Sequence, residues 1–124
     1  MEMYTNFTLK FSISKGNDDY QQIVDILSHM TDISVALTCD TPDHPFFSSP
    51  RWRVMAAGCK SHIDEYNGFC RSGTDVSLNG DFKNYGGEIG LFIDWIAPHL
   101  SMDLVGYSRY EGHGFVLPHF VMAP

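Results

Sequence analysis

The stretch YTNFTLKFSIS, residues 4–14, decides the fold class because apolar and polar side chains alternate along it. Its apolar members are Phe7, Leu9, Phe11 and Ile13, and its polar members are Thr8, Lys10, Ser12 and Ser14. A period of two is that of a β-strand, in which successive side chains point to opposite faces of the sheet. The stretch therefore predicts a strand whose apolar face lies in the core and whose other face is polar.

A helix and a second strand are predicted next along the chain. Apolar residues recur at helical spacing at Tyr20, Ile23, Val24, Leu27 and Met30. Asn17 or Asp18 is a natural N-cap for this helix, and Gln21 or Gln22 would complete a capping box. Residues 33–37 then alternate again, so the first third of the chain reads as strand, helix, strand.

The last part of the chain repeats this pattern with one strand more. Residues 74–78 predict a strand, with Asn79-Gly80 as an alternative hairpin turn. Helical spacing returns at Ile89, Phe92, Ile93, Ile96 and Leu100, and Pro98 limits that helix near its C-terminus. Residues 104–110 and 115–121 then predict two strands joined across residues 111–114. Pro118 places the last strand at a sheet edge.

The segment between these parts, residues 39–73, is irregular. Ser49-Pro50 is typical of a helix start, because a capping hydroxyl precedes a proline at the first helical position. The few apolar residues over 62–73 predict a loop. Residues 1–124 are therefore predicted to form one α+β domain, with two helices packed on a mostly antiparallel sheet of about five strands. The order β-α-β, irregular middle, β-α-β-β favours a ferredoxin-like or split β-α-β arrangement.

Charge and cysteine content restrict the classes of partner. Fifteen acidic residues against eight basic ones give a net charge of -7. Such a surface repels nucleic acid and anionic membranes, so acidity serves either solubility or the binding of a basic protein. Three cysteines cannot form a complete set of internal disulfides. With no signal-peptide pattern at the start and no apolar run of membrane-spanning length, the sequence indicates a reduced cytoplasmic protein.

A metal site is the first chemical hypothesis. Cys59, His62 and Cys70 lie within a dozen positions, and Cys39 or His44 could supply a fourth zinc ligand. Structural zinc sites usually present two short ligand pairs, whereas only Cys59 and His62 form one here. Inert thiols and a surface histidine are therefore the favoured interpretation, and no cofactor is expected.

An acid–base cluster is the second chemical hypothesis. Asp40, Asp43 and His44 lie together on a proline-rich loop and could act as general acids or bases. Aspartates of such loops more often order the turn through side-chain hydrogen bonds to the backbone, and we favour that role.

Two groups of aromatic and arginine side chains are candidates for binding a partner. The first is Phe46, Phe47, Arg51, Trp52 and Arg53, and the second is Tyr107, Arg109 and Tyr110. Tryptophan and arginine are enriched at binding hot spots. The alternatives are that the first group plugs one end of the core, with its arginines in salt bridges to aspartates, and that the second covers a solvated sheet face.

The two patterns YxxEIxxFIxWIxP at residues 85–98 and GYxRYE at residues 106–111 resemble small uncharacterised bacterial and prophage α+β proteins. The resemblance implies no activity. It implies mobile-element biology, in which short acidic proteins often act by binding and blocking another protein.

The sequence thus predicts a non-enzymatic, acidic protein-binding module, of the phage inhibitor or immunity type, that blocks a host or defence protein sterically. Its partner would be a protein with a basic surface, and a homodimer could itself be the binder. The alternative function is a small-molecule or zinc-binding domain, enzymatic or not, built on the region of Cys59, His62 and Cys70.

Overall fold

A computed structural model describes residues 4–56, 61–67, 72–84, 86–112 and 115–124. Its strands and helices are β1 (Thr5–Ser14), α1 (Tyr20–Thr31), β2 (His62–Asn67), β3 (Ser72–Phe82), α2 (Glu88–Ile96), β4 (Leu100–Tyr110) and β5 (Leu117–Val121). Short 3-10 helices cover Pro45–Phe47, Pro50–Val54 and Ala97–His99. Within the described residues, no helix is both long and apolar enough to cross a membrane.

The five strands form one antiparallel sheet in the order β2-β3-β1-β4-β5. Two helices pack on it, which confirms the predicted α+β class. The first six elements follow one another as β-α-β-β-α-β, the element order of the ferredoxin-like split β-α-β motif. The fifth strand lies outside β4 at the edge of the sheet, as Pro118 predicted.

The central strand, β1, divides the core from an uncovered surface. Its four apolar side chains are buried in one cluster with those of both helices. The ring of Phe11 lies 5.8 Å from that of Phe92 on α2, which places the helices on this face. The helix side chains in the cluster include Ile23, Ile26, Leu27, Met30, Ile89, Phe92, Ile93, Trp95 and Ile96. The polar side chains that alternate with these, from Asn6 to Ser14, therefore belong to the opposite face of the sheet.

The strand predicted at residues 33–37 does not form, and the prediction was wrong there. The Asp32 carboxylate accepts hydrogen bonds from the Ser34 N–H at 3.1 Å and the Ser34 hydroxyl at 2.6 Å, closing a turn. These two hydrogen bonds lower the pKa of Asp32. Ile33 is 54% exposed, so the alternating apolar residues of this segment do not all face the core.

The second strand is instead β2, His62–Asn67, in the segment predicted as a loop. It pairs with β3 from His62 opposite Ser77 to Asn67 opposite Ser72. Only Ile63 of this strand packs against the core cluster. An edge strand with a single inward apolar side chain shows almost no alternation, which is why the pattern was missed.

Three local predictions are also settled. The N-cap of α1 is Asp19, and its side chain makes no capping bond, so the capping box was wrong. Asn79 and Gly80 lie inside β3 rather than in a hairpin turn. The helix start predicted at Ser49-Pro50 was right. The Ser49 hydroxyl accepts a hydrogen bond from the Arg51 N–H at 3.4 Å and caps the 3-10 helix that begins at Pro50.

Candidate protein-binding face

The aromatic residues of the first predicted binding group lie in the core. Phe46 is 1% and Trp52 is 2% exposed. The Phe46 ring stacks on Trp95 of α2 at 6.0 Å between centroids, and the Phe47 ring meets Trp52 edge-on at 5.1 Å. We call Phe46, Phe47 and Trp52 the aromatic plug. The expectation that Phe46 and Trp52 contact a partner is corrected, because buried rings present no surface to it.

The two arginines of this group hold the plug in place. The Arg51 guanidinium pairs with the Glu88 carboxylate at 2.6 Å, donates to the Lys83 carbonyl and lies 4.7 Å from the Phe82 ring centroid. Arg53 lies 4.8 Å from the centroid of the Trp52 ring. The plug alternative expected both arginines to form salt bridges with aspartates. Arg51 forms a salt bridge with a glutamate instead, and Arg53 lies against the Trp52 ring.

Arg53 also contacts a buried histidine of α1. Its guanidinium lies 3.0 Å from His29 Nε2, and His29 Nδ1 lies 2.7 Å from the Val35 carbonyl oxygen. A carbonyl only accepts and a guanidinium only donates, so this geometry requires a neutral imidazole with its proton on Nδ1. The histidine thus ties α1 to the plug and to the turn after the helix.

The second predicted group is divided between the two faces of the sheet. Tyr107 lies opposite Thr8 and Arg109 opposite Asn6, so both belong to the face that the helices leave uncovered. Tyr110 lies opposite Thr5, on the helix side, and is exposed at the end of the sheet. Among the described residues no ion pair involves Arg109.

The uncovered surface is here called the open face, and the strand register defines it row by row. One row across the five strands is His62, Ser77, Lys10, Val105 and Phe120. The next row is Asp64, Asp75, Ser12 and Met102. Residues directly opposite one another on neighbouring strands point to the same face, so each row is a line of adjacent side chains.

The β4–β5 side of the open face is apolar. Its side chains, here called the apolar stripe, are Met102, Val105, Tyr107, Pro118 and Phe120. Val105 is 54% and Phe120 is 63% exposed. Single exposed apolar residues are ordinary on a protein surface, whereas a group of neighbours on one sheet face makes that face a candidate contact surface.

The β2–β3 side of the same face is acidic. Its carboxylates, here called the acidic side, are Asp64, Asp75 and Asp81. Asp64 lies directly opposite Asp75, an arrangement of like charges that destabilises a sheet. The Ser12 hydroxyl donates to Asp75, and the Asn6 amide donates to Asp81 at 2.9 Å. These bonds hold two of the three carboxylates in fixed positions.

A shallow groove joins the two sides. It has a volume of about 530 Å³ and runs between His62, Asp64 and Asp75 on one side and Met102 and Val105 on the other. A second concavity of about 570 Å³ continues the open face at the end of the sheet, lined by Tyr4, Asn6, Asp81, Arg109 and Glu111. The open face is therefore an extended surface with charges at both ends.

The loop of the acid–base hypothesis is held by the His44 side chain and by a backbone group of Asp40. His44 Nδ1 accepts a hydrogen bond from the Phe46 N–H at 3.1 Å and so caps the 3-10 helix at Pro45–Phe47. Asp43 and His44 do line a small cavity of about 210 Å³ with Asp94 and His99. Asp40 does not line it, but its backbone carbonyl accepts from the Gln22 side chain at 2.8 Å. These bonds order the loop.

The zinc hypothesis rests on residues that lie mostly outside the described part of the chain. Cys59 and Cys70 fall there, whereas His62 is exposed on β2 with Nε2 3.6 Å from the Asp64 carboxylate. Among the described residues no group of three histidine, cysteine or acidic side chains could hold a metal ion. Cys39 is half-buried against the core, and its burial, aided by Asp25 and Asp40, raises the pKa of its thiol. A raised pKa opposes formation of a thiolate nucleophile.

Comparison with known proteins supplies no assignment: no family model, curated protein or solved structure matches the chain. The pattern at residues 85–98 is built from core positions, since Glu88, Ile89, Phe92, Ile93, Trp95 and Ile96 are all buried. It describes how α2 packs and does not by itself describe a site.

Proposed function

We propose that this chain is a non-enzymatic protein-binding module that acts through its open face. The observation that supports this function is the apolar stripe, which lies uncovered beside the acidic side on the same sheet. Two of its members, Val105 and Phe120, neighbour one another across β4 and β5 and are each more than half exposed. Burying such side chains contributes about 25 cal/mol per Å² of apolar surface, and here a partner would gain that energy.

The charge of the chain supports a basic partner. The net charge of -7 raises the rate at which a positively charged protein meets the domain, and the acidic side favours one orientation in the encounter. The mode of action that follows is steric: once the domain covers a basic surface, that surface cannot bind anything else. The phage inhibitor or immunity role is the form of this action that the resemblance suggests.

The experiment is site-specific photocross-linking in cells of the source organism. A photoreactive phenylalanine analogue replaces Phe120 on the apolar stripe, and a matched variant carries it at Ile33, which is similarly exposed but lies in the turn after α1. We expect a discrete adduct from position 120 and none from position 33. Adding Val105→Glu to the position 120 variant should abolish the adduct.

Equal adduct patterns from positions 120 and 33, or no adduct from either, would overturn the proposed function. The cross-linked species is identified by mass spectrometry, so an adduct formed with a second copy of this chain is distinguished from an adduct with a partner. Far-ultraviolet circular dichroism of each variant checks that the fold is retained.

A further inference from the structure

We propose that the open face binds an amphipathic basic helix of its partner, laid along β1 between the apolar stripe and the acidic side. This inference rests on the proposed function and specifies the partner's binding element. The apolar face of the helix would lie on Val105, Tyr107 and Phe120. Its lysine or arginine side chains would reach Asp64 and Asp75.

The spacing of the strands fits a helix. The acidic side lies on β2 and β3 and the apolar stripe on β4 and β5, with β1 between them. Two strand spacings of about 4.8 Å each separate β3 from β4. A helix with its side chains is about 10 Å wide, so one lying over β1 contacts both sides at once.

The length of the face sets the length of the helix. From Asn6 to Ser12 the open face extends over six residue-to-residue steps of β1, or about 20 Å at about 3.3 Å per step. A helix rises about 1.5 Å per residue, so about 13 residues, or nearly four turns, cover the face. Lys10 is exposed in the middle of this span and favours a polar or acidic residue where the helix crosses it.

Two other occupants fit the face less well. A second copy of this chain would bring a face with three carboxylates, Asp64, Asp75 and Asp81, against its own likeness. Among the described residues of that face, the opposing lysine and arginine are Lys10 and Arg109. An added strand would have to pair with an edge of the sheet. At β5 that edge carries Pro118, which has no N–H to donate, and at β2 it carries Asp64 and Glu65.

The test uses the full chain, labelled with ¹⁵N, and a synthetic peptide of about 14 residues with leucines on one helical face and lysines beside them. We expect the amide shifts that the peptide causes to cluster at open-face residues of β1, β3 and β4. A second peptide with glutamate in place of lysine should not bind. Peptide binding that shifts the helix side of the domain would overturn the proposal.

The charge contribution is tested with a matched pair of double variants. Asp64→Asn with Asp75→Asn removes two carboxylates of the acidic side, and Asp18→Asn with Asp94→Asn removes two exposed carboxylates elsewhere. We expect about a tenfold loss of affinity from the first pair and little change from the second, because two ion pairs at a protein surface are worth about that much. Equal losses from both pairs would overturn the proposal.

The apolar contribution and self-association are tested together. Val105→Ser, at an exposed position, should weaken binding of the peptide. The amide spectrum of this variant should stay dispersed, as in a folded protein. Sedimentation equilibrium should give a monomer, and a dimer that Val105→Ser dissociates would assign the face to a second copy and overturn the proposal. If Phe120 cross-links a partner through a segment that is not a basic helix, this inference fails while the proposed function stands. If Phe120 cross-links nothing, both fail.

Discussion

The aromatic plug and the apolar stripe contain the same kinds of residue, yet one is buried and the other is exposed. The plug packs against the helices, where Phe46 contacts the rings of Phe92 and Trp95. The Arg51 guanidinium beside it pairs with the Glu88 carboxylate. The stripe lies on the open face, where Val105 and Phe120 lie opposite each other on neighbouring strands and are mostly exposed. Rich aromatic and arginine composition therefore does not identify a binding surface. Strand register instead shows which exposed apolar side chains are neighbours, because it determines which face a side chain shares with the residues beside it.

The largest effect that separates the two regions is on stability. Trp52→Ala should lower the free energy of unfolding by about 3–5 kcal/mol, because it empties a buried position lined by Phe46, Phe47 and His29. Phe120→Ala should change it by less than about 0.5 kcal/mol, because that side chain is mostly exposed. Urea unfolding of both variants measures the difference. If both variants lost comparable free energy of unfolding, the apolar stripe would be structural, and the contrast between the stripe and the aromatic plug would disappear.

The next effect tests what holds the plug. Glu88→Ala should lower the free energy of unfolding by about 2–3 kcal/mol, since it leaves the Arg51 guanidinium without its carboxylate. The loss stays below that of a fully buried pair because the Arg51 side chain is 32% exposed. Glu88 also accepts from the Gly86 N–H at 2.8 Å, next to the start of α2.

The control for Glu88 is Glu65→Ala, an exposed carboxylate on β2, which should change stability by less than about 0.5 kcal/mol. Chemical denaturation at low and high salt gives a second readout. The Glu88 effect should persist in high salt, because partly buried pairs are screened less than exposed ones. Loss of the effect in salt would contradict a structural role for the pair.

The fold and the face differ in how far the sequence predicts them. Strict periodicity was enough for β1 and α2, whose apolar residues all reach the core. It failed at residues 33–37, where the Asp32–Ser34 turn ends the alternation. It also failed at β2, where Ile63 is the apolar side chain that packs against the core. That Tyr107 and Arg109 share one face can be predicted from the sequence, because residues two apart in a single strand point the same way.

Strand order was the information that the sequence lacked for the rest of the face. Phe120 lies beside Val105 because β5 returns along β4, and Asp64 lies beside Asp75 because β2 joins the far edge. Neither neighbour can be deduced from spacing along the chain. The plug was undecided for the same reason. Only the positions of the two helices show that Phe46 packs on Trp95 of α2 and Trp52 on His29 of α1.

A smaller effect concerns the backbone under the stripe. A methyl group at Gly106 would collide with the Thr8 carbonyl oxygen of the neighbouring strand, so Gly106→Ala should shift β4 relative to β1. We expect a loss of about 1–3 kcal/mol in the free energy of unfolding. Gly90→Ala on α2, where a methyl group meets nothing within 4 Å, is the matched control and should be neutral or slightly stabilising. If both substitutions changed the free energy of unfolding equally, the close approach of Gly106 to the Thr8 carbonyl oxygen would be ruled out.

The smallest effect is on pH dependence, at the strand that carries Phe120. His119 lies opposite Gly106, with Nε2 2.8 Å from the Ser108 hydroxyl, and its burial lowers the pKa of its imidazole. The unfolded chain then binds a proton that the folded chain does not, so stability rises with pH across this interval. The contribution is complete above the ordinary histidine pKa of about 6.5 and is lost as pH falls through the lowered folded pKa.

Thermal unfolding at about pH 7.5 and about pH 5.5 should therefore show a smaller acid-induced loss in His119→Gln than in the unsubstituted chain. His62→Gln, at an exposed position on the opposite edge strand, controls for the other histidines. Because β5 carries Phe120, low pH should also lower the yield of the adduct formed from position 120. The decrease should be larger than the overall loss of folding stability explains. If the His119 and His62 variants lose the same thermal stability on acidification, the titration of His119 does not affect the integrity of the apolar stripe.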